Sequence, residues 1–384
     1  MPSILPVVQT LSSLVREASV SGSESGMSRV TAEEMRRLGF DAVWQDEAGS
    51  VVGELHGKKP GRKVAFDAHM DVVPITTPDR WGRQPFSGEI ADERVWGRGA
   101  SDNKGSLSCM IHALSGLPRE DICGTLYVVG SVGEETLEGI GLGQVVEKIR
   151  PDVVVVGEPT DCRLGFAQRG RARLIFHVRG RAAHSSADDQ SGNAVYEMAR
   201  LVDCLKAIQD PHDAILGAGI QAPIELISNP YPSLSTLPVE CRLTVDRRLV
   251  LGETPEALLA IYREAIQPVP GATVELDVVT YRSWTGKTFT RDDFHPAWHT
   301  PIESSFVQAC LASIRAAGME PEAYPVPYCT NGSTSCGELG IPAVVFGPGN
   351  IAQAHAVDEF IEIEQLPRAM AVYAEMGKTL GKIS

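Results

Sequence analysis

No run of this chain reaches the roughly 18 consecutive apolar residues of a membrane-spanning helix. The stretch Met1 to Ser12 has neither the basic start nor the apolar core of a secretory signal. Neither a membrane span nor a secretory signal is expected, and the cysteine usage described below gives the expectation of a cytoplasmic protein. Basic charge is also scarce, with 35 Lys and Arg against 49 Asp and Glu and a net charge of -14. A nucleic-acid partner needs a basic face, so that class is set aside, and an anionic membrane surface with it. Acidity of this kind serves solubility. The eight cysteines run from Cys109 to Cys336 without one Cys-x-x-Cys pair. This is the usage of reduced, mostly buried thiols rather than a disulfide framework. Asn331-Gly332-Ser333 matches a glycosylation triplet, which carries little without a secretory signal. Internal repeats and low-complexity tracts are missing. The Gly-punctuated segment from Gly97 to Gly105 fits neither Gly-x-Gly-x-x-Gly nor the phosphate-loop pattern, which excludes a nucleotide loop there.

What is present is ordinary globular material, 43% hydrophobic and 22% charged, in 384 residues, enough for two domains. Val51–Leu55, Val64–Ala68, Leu126–Gly130 and Val153–Val156 read as buried strands, bounded by Gly or charge. Helical spacing marks Leu5–Ala18, Ser23–Leu38 and a helix ending near Leu114, so the first part alternates β and α. Near Arg171 the pattern changes. Arg173–Val178, Pro223–Ile227, Cys241–Val245 and Thr273–Val279 read as half-exposed strands, with helices at Asn193–Ile208 and Thr254–Ile266. After Trp284 the β/α character returns with a helix at Ile302–Ala317, a strand at Ala343–Phe346 and a closing helix at Glu364–Leu380. The expected architecture is α/β. A mostly parallel-sheet catalytic domain with helices on both faces comes from residues 1–170 and 289–384. An α+β sandwich, residues 171–288, is inserted into it.

The stretch Val64-Ala-Phe-Asp-Ala-His-Met-Asp-Val-Val73 ends a buried strand in His69 and Asp71. In open α/β sheets ligands gather beyond the carboxyl ends of the strands. Further polar groups fall at such ends or in adjoining loops: Asp102, the pair Glu134 and Glu135, Glu158 in Gly-Glu-Pro-Thr160, and His355 in Ala354-His-Ala-Val-Asp-Glu359. Singly, each has a plain structural reading: a solvated Glu, a surface His, an Asp capping the next helix. Collected on one sheet edge, two imidazoles and three carboxylates suffice for two divalent metals if one carboxylate bridges.

In combination, His69-Met-Asp71, Gly97-Arg-Gly-Ala-Ser-Asp102, Glu134-Glu135, Glu158-Pro-Thr160 and Ala354-His355 resemble the co-catalytic zinc amidohydrolases and peptidases. That family includes acetylornithine deacetylase, succinyl-diaminopimelate desuccinylase, aminoacylase and glutamate carboxypeptidase. The resemblance runs from about Ser12 to Leu380. It is nearest a branch of hydrolases linked to selenium metabolism, through Gly97–Gly105, Val245-Asp-Arg-Arg-Leu249 and Thr330-Asn-Gly-Ser333 ahead of Gly347-Pro-Gly349.

The resemblance implies two divalent ions, zinc first, with cobalt or manganese as alternatives. Asp102 would bridge them, His69 and Glu158 completing one site and Glu135 and His355 the other. Asp71 would hold the His69 ring, and Glu134 would be the general base toward a metal-bridging water. A cis peptide would follow Asp102. The insert would be a lid that dimerises, with His184 in Arg179-Gly-Arg-Ala-Ala-His184 reaching the partner's site to bind the developing oxyanion. Arg248 would read a substrate carboxylate, with Arg247 beside it as the alternative. Ser235-Thr236-Leu237-Pro238 lacks the Asn that family members often carry three residues before that Pro. Asn331, Gly332 and Ser333 precede a short helix whose first N–H groups could hold a carboxylate. The implied activity is hydrolysis of the amide of an N-acylated amino acid or similar small carboxylate. The alternatives are a dipeptidase or carboxypeptidase on short peptides and a metal-bound binding protein without turnover.

Overall fold

The computed structural model describes residues 5–186 and 192–382. The chain divides into two compact units, residues 1–168, 280–289 and 298–384 in the first and 169–279 and 290–297 in the second. Residues 280–288, read from the sequence as part of the insert, group with the first unit. There Tyr281 is buried and donates to Glu24 at 2.8 Å.

Among the described residues the first unit builds a nine-stranded sheet. Its main path runs Ala42–Gln45, Val51–His56, Cys123–Ser131, Lys59–His69, Val153–Val156, Ala343–Val345, Leu164–Gln168, Trp298–His299. The four central strands, from Cys123–Ser131 to Ala343–Val345, are mutually parallel. Antiparallel pairs flank them on both sides. Val64, Ala65 and Phe66, like Val154, Val155 and Val156, are completely buried, which explains why these strands read as unbroken apolar runs rather than alternating ones. On one face Tyr373, from the closing helix Gln365–Thr379, meets Phe66 and Phe346 edge-on at 6.1 and 5.3 Å. On the other, Leu142, Val145, Val146 and Ile149 of the helix Ile140–Ile149 pack on Ala65, Val129 and Val154. Helices thus cover both faces. The parallel strands deliver His69, the loop with Glu134 and Glu135, Glu158, and the segment leading to His355 toward the same sheet edge.

The second unit is a two-layer α+β body. Its antiparallel sheet runs Ile220–Asn229, Glu240–Leu249, Gly170–Arg179, Ala272–Leu276. Alternation marks Gly170–Arg179, where Ala172, Leu174, Phe176 and Val178 face the helices Ala194–Lys206 and Pro255–Ala265, with Ile175 also buried from the other face. The helices are started by Asn193 and Thr254, whose side chains accept from Val195 N and Ala257 N. Arg247 lies on the packed side, buried and paired with Asp210 and Glu253, whereas Arg248 is half-buried with Nε 2.9 Å from Asp246. Arg247 is therefore committed to the fold, while Arg248 keeps part of its side chain accessible. No helix among the described residues is long and apolar enough to cross a membrane.

Phe176 and Tyr262 meet at 5.4 Å in the middle of this second core. Phe176→Ala should destabilise the second unit by about 3–5 kcal/mol, read as a lower urea midpoint for that transition.

Candidate metal centre

The centre starts from the fully buried His69. Its Nδ1–H donates to the carbonyl oxygen of Asp71 at 2.9 Å, which leaves the Nε2 lone pair turned outward. That nitrogen lies 3.1 Å from Asp102 Oδ1, 3.9 Å from Glu158 Oε1 and 4.0 Å from Glu134 Oε2. The other oxygen of Asp102, Oδ2, lies 3.7 Å from His355 Nε2, and that nitrogen is 3.0 Å from Glu135 Oε2. The two oxygens of one carboxylate thus face two different imidazoles. His69, Asp102 and Glu135 each place a ligand atom within 4.8 Å of the others'. The peptide after Asp102 is cis.

Negative charge is crowded here. Burial raises the Glu134 carboxyl well above its usual range, with Glu158, Glu135 and Glu138 adding repulsion against the attraction of His69. Glu158 is raised in the same way by burial, with Asp102 and Glu135 adding repulsion. Burial works against a charged His69, but Glu134, Asp102 and Glu158 outweigh it and push its pKa up. A lone pair and four carboxylates converging in a dry pocket call for positive charge between them. Imidazole and carboxylate donors without a thiolate suit a borderline or hard divalent ion. The residues present fit a pair of such ions.

Several groups act otherwise than the sequence suggested. The Asp71 carboxylate is 3.7 Å from the His69 ring, too far for a hydrogen bond. It accepts instead from Glu134 N at 3.1 Å, Glu135 N at 3.0 Å and Ser21 Oγ at 2.6 Å. Asp71 therefore holds the ring through its backbone and the Glu134–Glu135 loop through its side chain. Asn331 is buried, with Nδ2 donating to Asp67 and Ser131 and Oδ1 accepting from Gly139 N. Gly332 N and Ser333 N donate to Thr330 Oγ1 and Thr330 O at 3.0 Å each. The expected carboxylate cradle of Asn331, Gly332 and Ser333 is thus already engaged by the chain itself. In the second unit, His184 is exposed, with Nδ1 2.7 Å from Ser186 Oγ.

Sequence reasoning assigned no role to Arg98 and Glu359. Glu359 is completely buried and accepts from Arg98 Nη1 and from the backbone N–H groups of Gly99, Ser101 and Asp102. Gly99 turns at φ +86, where a Cβ would also stand 2.7 Å from Val72 Cγ1. Both residues lie in the quoted motifs, but nothing in the sequence tells which buried carboxylate takes which backbone donors.

The model of peptidase family M20/M25/M40 matches residues 65–379. The chain belongs to that family. Among its relatives, the uncharacterized protein YgeY of Escherichia coli K12 is 34% identical over 89% of this chain and 86% of its own length. Succinyl-diaminopimelate desuccinylase of Cereibacter sphaeroides is 29% identical over 97% of this chain and 98% of its own. The fold is that of the M20 metallo-carboxypeptidase Sso-CP2 from Sulfolobus solfataricus. The two superpose with a TM-score of 0.77 at 18% identity, over 99% of this chain and 100% of that one. This member of the M20 family is a metallohydrolase acting on amide bonds.

Removing the Asp71 carboxylate while keeping its carbonyl isolates the loop-holding role. Asp71→Ala should leave the His69 ring in place and lower kcat/KM by about 10–100-fold, as measured by steady-state kinetics beside elemental analysis for bound metal.

Proposed function

We propose that this M20 hydrolase cleaves the amide bond of an N-acylated amino acid or similar small carboxylate, with two divalent ions and Glu134 as general base. The observation that carries the reading is Asp102, whose two oxygens face His69 and His355. In this reading His69 and Glu158 hold one ion, Glu135 and His355 the other, and Asp102 is shared. Zinc suits the donor set, with cobalt and manganese as the other candidates. Two such ions supply Lewis acidity and a water of lowered pKa.

The chain's own part is then proton handling and orientation. Glu134 takes a proton from the attacking water while the water oxygen bonds to the acyl carbon. As the tetrahedral species collapses and the C–N bond breaks, the same carboxyl returns the proton to the leaving amine nitrogen. Glu134 is 7% exposed, and its backbone N–H donates to Asp71, so the loop that carries the carboxylate is held. His184 is the proposed oxyanion donor and Arg248 the proposed reader of the substrate carboxylate, its fork matching that shape. With Asn331, Gly332 and Ser333 engaged elsewhere, Arg248 carries the larger share of that recognition. The relative named as a desuccinylase favours a deacylase over a peptidase.

Chelation should abolish turnover, and added zinc, cobalt or manganese should restore it. Glu134→Gln should lower kcat by about 10²–10⁴-fold while the protein still binds two metal equivalents by elemental analysis. A mass-spectrometric panel of N-acyl amino acids and dipeptides identifies the substrate; turnover confined to dipeptides would replace the deacylase reading with a dipeptidase one.

The second unit is proposed as a lid and homodimer surface. Its strand Ile220–Asn229, at the sheet edge among the described residues, leaves Ile224 57% and Leu226 55% exposed, an apolar edge of the kind that pairs with another chain. Ile224→Lys with Leu226→Lys should convert a dimer to a monomer in light scattering; a wild-type monomer would end this part of the reading.

A further inference from the structure

Asp102 and His355 lie 253 residues apart and on different loops, yet both loops are fastened to one buried ion pair. Glu359 Oε2 accepts from Arg98 Nη1 at 2.7 Å and from Gly99 N at 3.0 Å. Its Oε1 accepts from Ser101 N and Asp102 N, both at 3.0 Å. The second arm of the guanidinium, Nη2, donates to the carbonyl oxygen of His355 at 3.2 Å. The backbone adds Gly97 N to Glu359 O at 2.8 Å. Next to Glu359, Asp358 accepts from Gly82 N and Arg83 N, and Trp81 presents its ring 5.3 Å from the Arg98 guanidinium.

A buried ion pair is weak grounds for stability, because desolvation offsets most of its attraction. What distinguishes this pair is where its hydrogen bonds go. Three of the four bonds to Glu359 come from the backbone of the turn that carries Asp102. The remaining arm of Arg98 reaches the backbone of the other candidate ligand. The side chain of His355 is 55% exposed and its φ is +60, a conformation uncommon outside glycine. His69, by contrast, is fully enclosed and needs no such brace.

We propose that Arg98 and Glu359 are positioning residues with separable tasks. Glu359 places the shared carboxylate of Asp102, and Arg98 places His355 through its carbonyl. The inference rests on the two-ion reading above. Loss of the Arg98 fork then loosens only the ion held by His355 and Glu135, while loss of the Glu359 carboxylate loosens both.

The two substitutions that separate these tasks are Arg98→Lys and Glu359→Gln. Lysine keeps the charge toward Glu359 but cannot span Glu359 and the His355 carbonyl at once. Glutamine keeps one acceptor oxygen and turns an amide N–H₂ toward donors. Metal-free wild type and both variants are titrated with Co(II), reading visible absorption and bound metal per chain, with thermal melts as the check on folding. Wild type should take up two Co(II). R98K should keep one at wild-type affinity and bind the second about 10–100-fold more weakly, and E359Q should weaken both. Two wild-type affinities in both variants would overturn the proposal, as would equal weakening of both ions in R98K. A wild type that binds fewer than two Co(II) would instead refute the two-ion reading itself. R98K preserves the buried charge pair, so it decides the question alone if E359Q does not fold.

Discussion

The carboxylate of Asp102 is the point on which this molecule turns. One oxygen stands 3.1 Å from the His69 imidazole and the other 3.7 Å from that of His355, with Glu134, Glu135 and Glu158 close around. Four carboxylates cannot share a dry pocket without compensation, and neighbouring groups are arranged to keep them there. Asp71 grips the Glu134–Glu135 loop by two N–H groups, and Glu359 grips the Asp102 turn by three. Asn103, across the cis peptide from Asp102, donates its amide to the Gly157 carbonyl beside Glu158. Each acidic ligand candidate on the sheet edge is therefore fixed through the backbone, which leaves its own oxygens available.

Much of this was legible in the chain because the physics is local. Val64–Phe66 and Val153–Val156 are apolar without alternation, and that pattern belongs to strands covered on both faces, as they are here. A polar residue immediately after such a run must emerge at the sheet edge, which is why His69, Glu134, Glu135 and Glu158 could be named before any coordinates. The second unit announced itself by a different pattern, alternation along Arg173–Val178 broken only at Ile175, which is buried as well.

What was not legible depends on pairings far apart in sequence. The small sheet of Glu89–Ala91, Arg94–Trp96 and Phe360–Glu362 joins segments more than 260 residues apart, and no short-range signal marks it. Its register brings Glu359 beside Gly99 and Asp102. The Asp71 spacing was informative, but spacing does not say whether a side chain or a carbonyl does the holding. Asn331 shows the converse error. Its neighbours suggested an anion cradle, yet a buried amide has to satisfy its own donors and acceptor first, and Asp67, Ser131 and Gly139 do so.

The two imidazoles also live in unlike surroundings, His69 enclosed and His355 more than half open to solvent. The centre therefore has a dry wall and a wet mouth. On the two-ion reading proposed above, an ion held by His355 would exchange with solvent more readily than one held by His69.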